Sequence, residues 1–215
     1  MSARDGCLEK PMAHKQNPLL LILAVLSVIY IDTVNAISVV GTPHDLSINS
    51  SIIGGFGSCS FCHGAHTKDD GQLPLWSRTG TESVFTLYSS PTLDSSVDPP
   101  GVMSIACLSC HDGVTAFDAV YESNGTPGND MNTVYPGSYA IIGTDLGNDH
   151  PVGVLIGADT LGIKEEQAIT TAGLTIYDGK VECASCHDAH GTLGFVSFLR
   201  VDIAGSTLCF ACHNK

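Results

Sequence analysis

Basic residues are the first thing this chain is short of: nine Lys and Arg stand against 22 Asp and Glu, a formal net charge of −13 over 215 residues. That balance excludes nucleic acid as a partner, because affinity for nucleic acid rests on cationic contacts to phosphate. Aromatic residues are scarce too, at 7%, with one tryptophan, Trp76. Apolar runs are short except at Leu19 to Ile31, and that run is too short to span a bilayer comfortably. Lys10, His14 and Lys15 precede it and Val34-Asn35-Ala36 follows it. This is the layout of a secretory signal peptide over residues 1–36, cleaved after Ala36. No later segment is long or apolar enough to span, so the mature chain is expected to be exported, with no membrane span. Removing the leader takes three charges of each sign, Arg4, Lys10 and Lys15 against Asp5, Glu9 and Asp32, and the net charge stays −13.

Free cysteine is the second absence. Of nine cysteines, Cys7 leaves with the leader and the other eight all fall in four Cys-x-x-Cys-His pentapeptides. These are Cys59–His63, Cys107–His111, Cys183–His187 and Cys209–His213. Nothing remains for a disulfide or a reactive thiol, although disulfides are the ordinary use of paired cysteines in an exported chain. Zinc ribbons also use paired Cys-x-x-Cys, but they do not require a histidine after each pair. The pentapeptide is the attachment signature of c-type haem. Its two thiols form thioethers with the porphyrin vinyl groups and its histidine reaches the iron from one side. Four copies predict four haem c groups, held by Cys59, Cys62, Cys107, Cys110, Cys183, Cys186, Cys209 and Cys212, with His63, His111, His187 and His213 as proximal ligands.

An iron in porphyrin has a second axial position. Residues 37–215 contain eight histidines, four of them proximal, which leaves His44, His66, His150 and His190 for four distal positions. Only two methionines remain, Met103 and Met131, so His/Met ligation throughout is impossible. Bis-histidine ligation throughout is the economical reading, with lower potentials than His/Met gives. Six-coordinate irons have no open site for a substrate, so the chain is expected to pass electrons and not to be an enzyme.

The mature chain, 215 residues less the 36 of the leader, is 179 long. That is the size of one domain and too little protein to wrap four macrocycles in a conventional core. The expected fold is mostly irregular coil with short α-helices and a small β-hairpin around a stacked haem core. Short helices are predicted at 104–111, 115–121, 164–171 and 206–213. Leu174–Tyr177, Asp178-Gly179 and Lys180–Cys183 read as a hairpin about a two-residue turn. Residues 37–58 read as extended; 84–101 and 121–138, rich in Pro, Gly and Asn, read as loops. The signature Cys-x-x-Cys-His-x-x-His opens at 59 and again at 183, and a plainer motif follows each at 107 and 209. That is a degenerate repeat of a two-haem unit. Trp76 reads as a haem-packing aromatic, and Asp69-Asp70 as solvated surface. Asn49-Ser-Ser51 and Asn124-Gly-Thr126 match the N-glycosylation pattern.

The chain resembles the multihaem c-type cytochromes with doubled Cys-x-x-Cys-His motifs. More narrowly, it is similar to the OmcE-like tetrahaem cytochromes of extracellular nanowires. The resemblance runs through 59–66, Pro74–Arg78, Cys107–Gly113, Asn148–Val152, Cys183–Gly191, Phe198–Arg200 and Leu208–Lys215, and covers nearly all of 42–215. It implies a homopolymer built head to tail, secreted to the cell surface, passing electrons to other multihaem cytochromes or extracellular acceptors. It also implies that one distal histidine ligates a haem of the next subunit, with His66 the first nominee and His44 the second. The competing expectations are a monomeric periplasmic electron carrier and a multihaem reductase; the latter needs an open iron.

Overall fold

The computed structural model describes residues 39–48, 57–64, 75–78, 80–115, 140–157 and 161–214, all within one compact unit, Ile37–Lys215. Residues 1–36, read as a signal peptide, His66, Asn49, Asn124, Asp69-Asp70, the expected 121–138 loop and nearly all of the expected 115–121 helix lie outside the described residues.

Most of the described backbone is irregular. Helix α1, Val102–His111, is the longest at ten residues. It follows Asp98-Pro-Pro-Gly101, and prolines cannot sit inside a preceding helix. It closes on Asp112, whose N–H donates to the Leu108 carbonyl, and then on Gly113 at φ 69°. A glycine in the left-handed region just past the end is the usual helix stop. Helix α2, Glu166–Thr171, ends the same way, on Ala172 and then Gly173 at φ 100°. A single turn, α3, spans Cys183–Cys186, and α4 spans Thr207–Cys212. The expected helices at 104–111, 164–171 and 206–213 thus correspond to α1, α2 and α4. None of the described helices is long and apolar enough to cross a membrane.

The expected hairpin forms only at its tip. Asp178 and Gly179 both take left-handed φ, 51° and 74°, as a type I′ turn requires. Tyr177 and Lys180 exchange both backbone hydrogen bonds across it, at 3.0 and 2.9 Å. Beyond that pair the ladder changes partner. Strand β2, Lys180–Val181, pairs antiparallel with β1, Val154–Leu155, in the register Val154 with Val181 and Leu155 with Lys180. The expected partner, Leu174–Ile176, is drawn away by burial: Leu174 joins Ile169 and Ala211 in a small core, and Ile176 packs against it. Ile156, Ile163, Val201 and Leu208 complete that cluster, which seats α4 on α2.

Residues 37–58 are also not extended over 39–48. Thr42 N–H bonds the Val39 carbonyl and Asp45 N–H bonds the Thr42 carbonyl, both at 2.9 Å, and a 3-10 turn follows at Leu46–Ile48. The Asp45 carboxylate accepts from Gly41 N–H and Ser47 hydroxyl. Short polar side chains that bond nearby backbone favour turns over strands, which the Gly/Ser content of the segment does not reveal.

Gly153 shows how tightly the small sheet is held. Its φ is +76°, and a Cβ there would sit 2.1 Å from the Asp98 carbonyl oxygen. Its own N–H and carbonyl bond Val181 and Asp98 at 2.7 and 3.0 Å. Gly179 has similar φ but open space about it. Gly179→Ala is therefore expected to cost only the left-handed penalty of about 1–2 kcal/mol, and Gly153→Ala distinctly more. Denaturant unfolding of the two variants side by side checks this, and equal losses would contradict it.

Candidate functional site

All four pentapeptides are turns of helix. Motif two closes α1. In the other three, the histidine N–H donates to the carbonyl of the first cysteine: His63 to Cys59 at 2.9 Å, His187 to Cys183 at 3.1 Å, His213 to Cys209 at 2.9 Å. Residues i, i+3 and i+4 share one face of such a turn. Two thiols and an imidazole are thereby presented together by backbone alone.

The same three motifs are clamped by one recurring device. His63 bridges antiparallel to Trp76, His187 to Leu199 and His213 to Ile163. In each case the second cysteine's carbonyl accepts from the residue after the bridge partner: Ser77 to Cys62 at 2.9 Å, Arg200 to Cys186 at 2.8 Å, Lys164 to Cys212 at 2.7 Å. In each case the residue after the histidine donates back to the residue before the partner: Gly64 to Leu75, Asp188 to Phe198 and Asn214 to Gly162. That acceptor residue is left-handed every time, with Leu75 at φ 61°, Phe198 at 59° and Gly162 at 79°. Bulky residues rarely adopt such φ, so Leu75 and Phe198 hold it against a cost.

A cation lies beside each clamp. Arg78, buried, donates Nη2 to the Ser109 carbonyl at 3.2 Å and lies 5.0 Å from the Phe61 ring centre, tying motif one to motif two. Arg200 Nε donates to the Ala184 carbonyl at 2.7 Å inside motif three. Lys164 Nζ donates to the Phe210 carbonyl inside motif four.

Carbonyls orient the imidazoles. His111 Nδ1 lies 2.6 Å from the Ala140 carbonyl oxygen, His187 Nδ1 2.8 Å from that of Ser197, and His44 Nδ1 3.0 Å from that of Ala189. A carbonyl only accepts, so each Nδ1 carries the proton and Nε2 keeps its lone pair for a metal. Three of the candidate distal histidines lie near motif histidines. His190 is parallel to His63, ring centres 6.1 Å apart and planes at 9°. His44 stands 6.2 Å from His111 with planes at 75°. His150 is close enough to His213 that burial, and then repulsion from His213, hold its pKa below the usual range. Burial first and His190 second lower His63 likewise. For His44, burial dominates, partly opposed by the Ala189 bond. Each of these shifts favours the neutral form, which is the one that metals bind.

None of the eight described cysteines is in a disulfide. Cys62 and Cys186 are pushed up to about 11 by burial, whereas Cys183 is drawn down to about 7, chiefly by a hydrogen bond with Cys107. That contact places motifs two and three side by side. Their joint is built on Glu182, 2% exposed. Its carboxylate accepts from Gly101 N–H at 3.1 Å and from the Ser104 hydroxyl, and Ser104 Oγ accepts from Cys183 N–H at 3.0 Å. Glu182 thus caps α1 from 81 residues away in sequence.

These residues fit covalent haem. Each donor set is two thiols and one imidazole on one turn, and second imidazoles come from elsewhere in the chain. Trp76 stands edge-on to His63, at 6.1 Å and 82°. Its Nε1 is buried without a hydrogen-bond partner among the described residues, the condition expected where a prosthetic group supplies the acceptor. Among the described residues no three or more His, Cys, Asp or Glu gather as ligands for a bare ion.

Several functional residues carry little or no signal in the sequence. Asp112 and Asp188 directly follow a motif histidine and both are buried. Asp112 accepts from Thr81, Ser83 and Thr115 hydroxyls and from Val114 and Thr115 N–H; Asp188 accepts from Thr192 hydroxyl and from His190 and Thr192 N–H. The doubled Cys-His-Asp is the one pattern that could have pointed to them. Glu182 has none.

The family model of the doubled CXXCH motif matches residues 177–215, which include motifs three and four. No curated protein matches the chain. The doubled motif indicates a multihaem c-type cytochrome that binds haem c covalently and takes part in electron transfer.

Glu182→Ala would leave the Ser104 hydroxyl and Gly101 N–H without their acceptor. The expected loss is about 1–3 kcal/mol for each buried group so stranded. Unfolding of the haem-loaded protein in denaturant measures it. A variant as stable as the parent would refute the joint.

Proposed function

We propose that the chain is a tetrahaem electron-transfer protein, with every iron held between two imidazoles, and the repeating subunit of a secreted extracellular filament. The observation that carries the first part is the pairing of remote histidines with motif histidines. A metal-bound imidazole nitrogen sits about 2.0 Å from the metal and about 1.1 Å from its own ring centre. Two imidazoles on opposite sides of one metal therefore have centres about 6.2 Å apart. The His63–His190 and His111–His44 pairs stand at 6.1 and 6.2 Å.

When bound, each haem supplies a reversible one-electron change at iron. The protein's part is to hold the ligands. Carbonyls on Nδ1 fix imidazole orientation and raise ligand basicity, the clamps hold the turns that carry the thiols, and Arg78, Arg200 and Lys164 bring positive charge to an otherwise acidic chain. Were each iron held between two imidazoles, from this chain or its neighbour, no position would be left for a substrate, and the reading is of an electron carrier, not an enzyme.

The filament part rests on the resemblance and on the histidine count. His150 and His190 lie beside motif histidines and His44 lies 6.2 Å from His111 of its own chain, which supports His66 over His44 as the histidine that crosses between subunits. His66 is then the histidine donated to the neighbour, completing the iron on His187. Partners are further copies of the chain, other multihaem cytochromes and extracellular acceptors.

Carbon monoxide added to the reduced assembled protein should leave its absorption spectrum unchanged; tight binding would mean an open iron and favour the reductase. Electron microscopy of material sheared from the cell surface should show filaments, whereas monodisperse monomers would favour the periplasmic carrier. His66→Ala should abolish filaments, and intact filaments carrying that change would overturn its assignment.

A further inference from the structure

The His63–His190 and His44–His111 pairs are alike in separation and unlike in orientation. His63 and His190 are within 9° of parallel, while His44 and His111 stand at 75°. The His44 ring is held at two points. Its Nδ1 bonds the Ala189 carbonyl at 3.0 Å, and its face stacks on Phe198, centres 4.5 Å apart and planes at 22°. Together these leave the ring no free rotation about its own Cβ–Cγ bond.

Phe198 is a costly place to find an aromatic. It and Ser197 are consecutive left-handed residues, at φ 59° and 53°. Strain of this kind persists only where the surroundings over-determine it. Here they do. The Ser197 carbonyl takes the His187 Nδ1 proton at 2.8 Å, and the Phe198 carbonyl takes Asp188 N–H at 2.7 Å. Opposite the ring lies Gly191, also left-handed, where a Cβ would stand 3.2 Å from two Phe198 ring atoms. Gly191 and His44 both pack against the aromatic side chain.

We infer that the strained turn Ser197–Phe198 is a positioning element that orients two imidazoles on different irons: His187 through the Ser197 carbonyl, and His44 through the Phe198 ring. It thereby holds the His44–His111 pair near perpendicular while the His63–His190 pair stays parallel. The inference rests on the bis-histidine tetrahaem reading above. Its consequence is that the chain makes its haems electronically unequal without changing ligand type. Ligand planes set which iron orbitals the imidazoles meet. Near-parallel planes give ferric low-spin iron a rhombic resonance, and near-perpendicular planes give one strongly anisotropic feature at larger g.

The test is electron paramagnetic resonance at liquid-helium temperature on the oxidised, haem-loaded full chain. The parent should show both signals. Phe198→Leu, which keeps apolar bulk and loses the stacking face, should keep four haems and shift or broaden the large-g feature. The rhombic signal should stay in place. Phe198→Tyr, which keeps the face, should restore the parent spectrum. A Leu spectrum superimposable on the parent's, or movement of the rhombic signal instead, overturns the inference. Should the Leu variant fail to load four haems, Phe198→Met decides by the same criterion: movement of the large-g feature alone upholds the inference, and a spectrum superimposable on the parent's overturns it. A parent with fewer than four haems or with high-spin iron would instead defeat the underlying tetrahaem reading, and the haem count separates the two failures.

Discussion

One backbone hydrogen bond, from a histidine N–H to the carbonyl of a cysteine four residues earlier, underlies the site. It closes Cys-x-x-Cys-His into a helical turn and so gathers three side chains of different chemistry on one face. Seen at His63, His187 and His213, it needs no long helix around it. A single turn is marginal by itself, since nucleating helix fixes several dihedrals for one bond. The antiparallel clamp answers that weakness by pinning the second cysteine's carbonyl and the residue after the histidine to a passing segment. Three unrelated stretches, around Trp76, Ile163 and Leu199, do the same job with the same left-handed entry.

The rest of the fold is economical to the point of needing help. The buried apolar set among the described residues is small, with Phe61, Leu108, Leu146, Ile169, Leu174 and Leu199 its largest members. Ordering irregular backbone costs about 1–2 kcal/mol per residue, and short helices and a two-by-two sheet return little of it. Small scaffolds in this position rely on covalent or metal staples. On the proposed reading, eight thioether links spread from Cys59 to Cys212, and irons held between His44 and His111 and between His63 and His190, would be staples of that kind. Buried polar joints at Glu182, Asp112 and Asp188 then lock the turns against each other.

Much of the site is legible in the amino-acid sequence, because haem attachment is dictated by residue type at fixed local spacing. The same locality makes α1, α2 and α4 readable, and the Asp178-Gly179 turn. What is not legible depends on distance along the chain. Val154 as the partner of Val181, Glu182 capping α1 and His44 beside His111 all join segments far apart, and no local pattern announces them. Over 39–48, the described part of 37–58 that turns, the extended reading fails for a different reason. Thr42, Asp45 and Ser47 bond their own neighbourhood, and composition counts such residues without seeing what they bond. The left-handed Phe198 is invisible in sequence because its conformation is imposed by its carbonyl and ring partners and not by its own preference.

The central claim is that four haems are attached through these eight thiols. Intact mass spectrometry of the native protein under denaturing conditions, which retains thioether-linked groups and sheds the rest, measures it most directly. A mass equal to the polypeptide plus four haems is predicted. A mass corresponding to fewer than four would contradict the account.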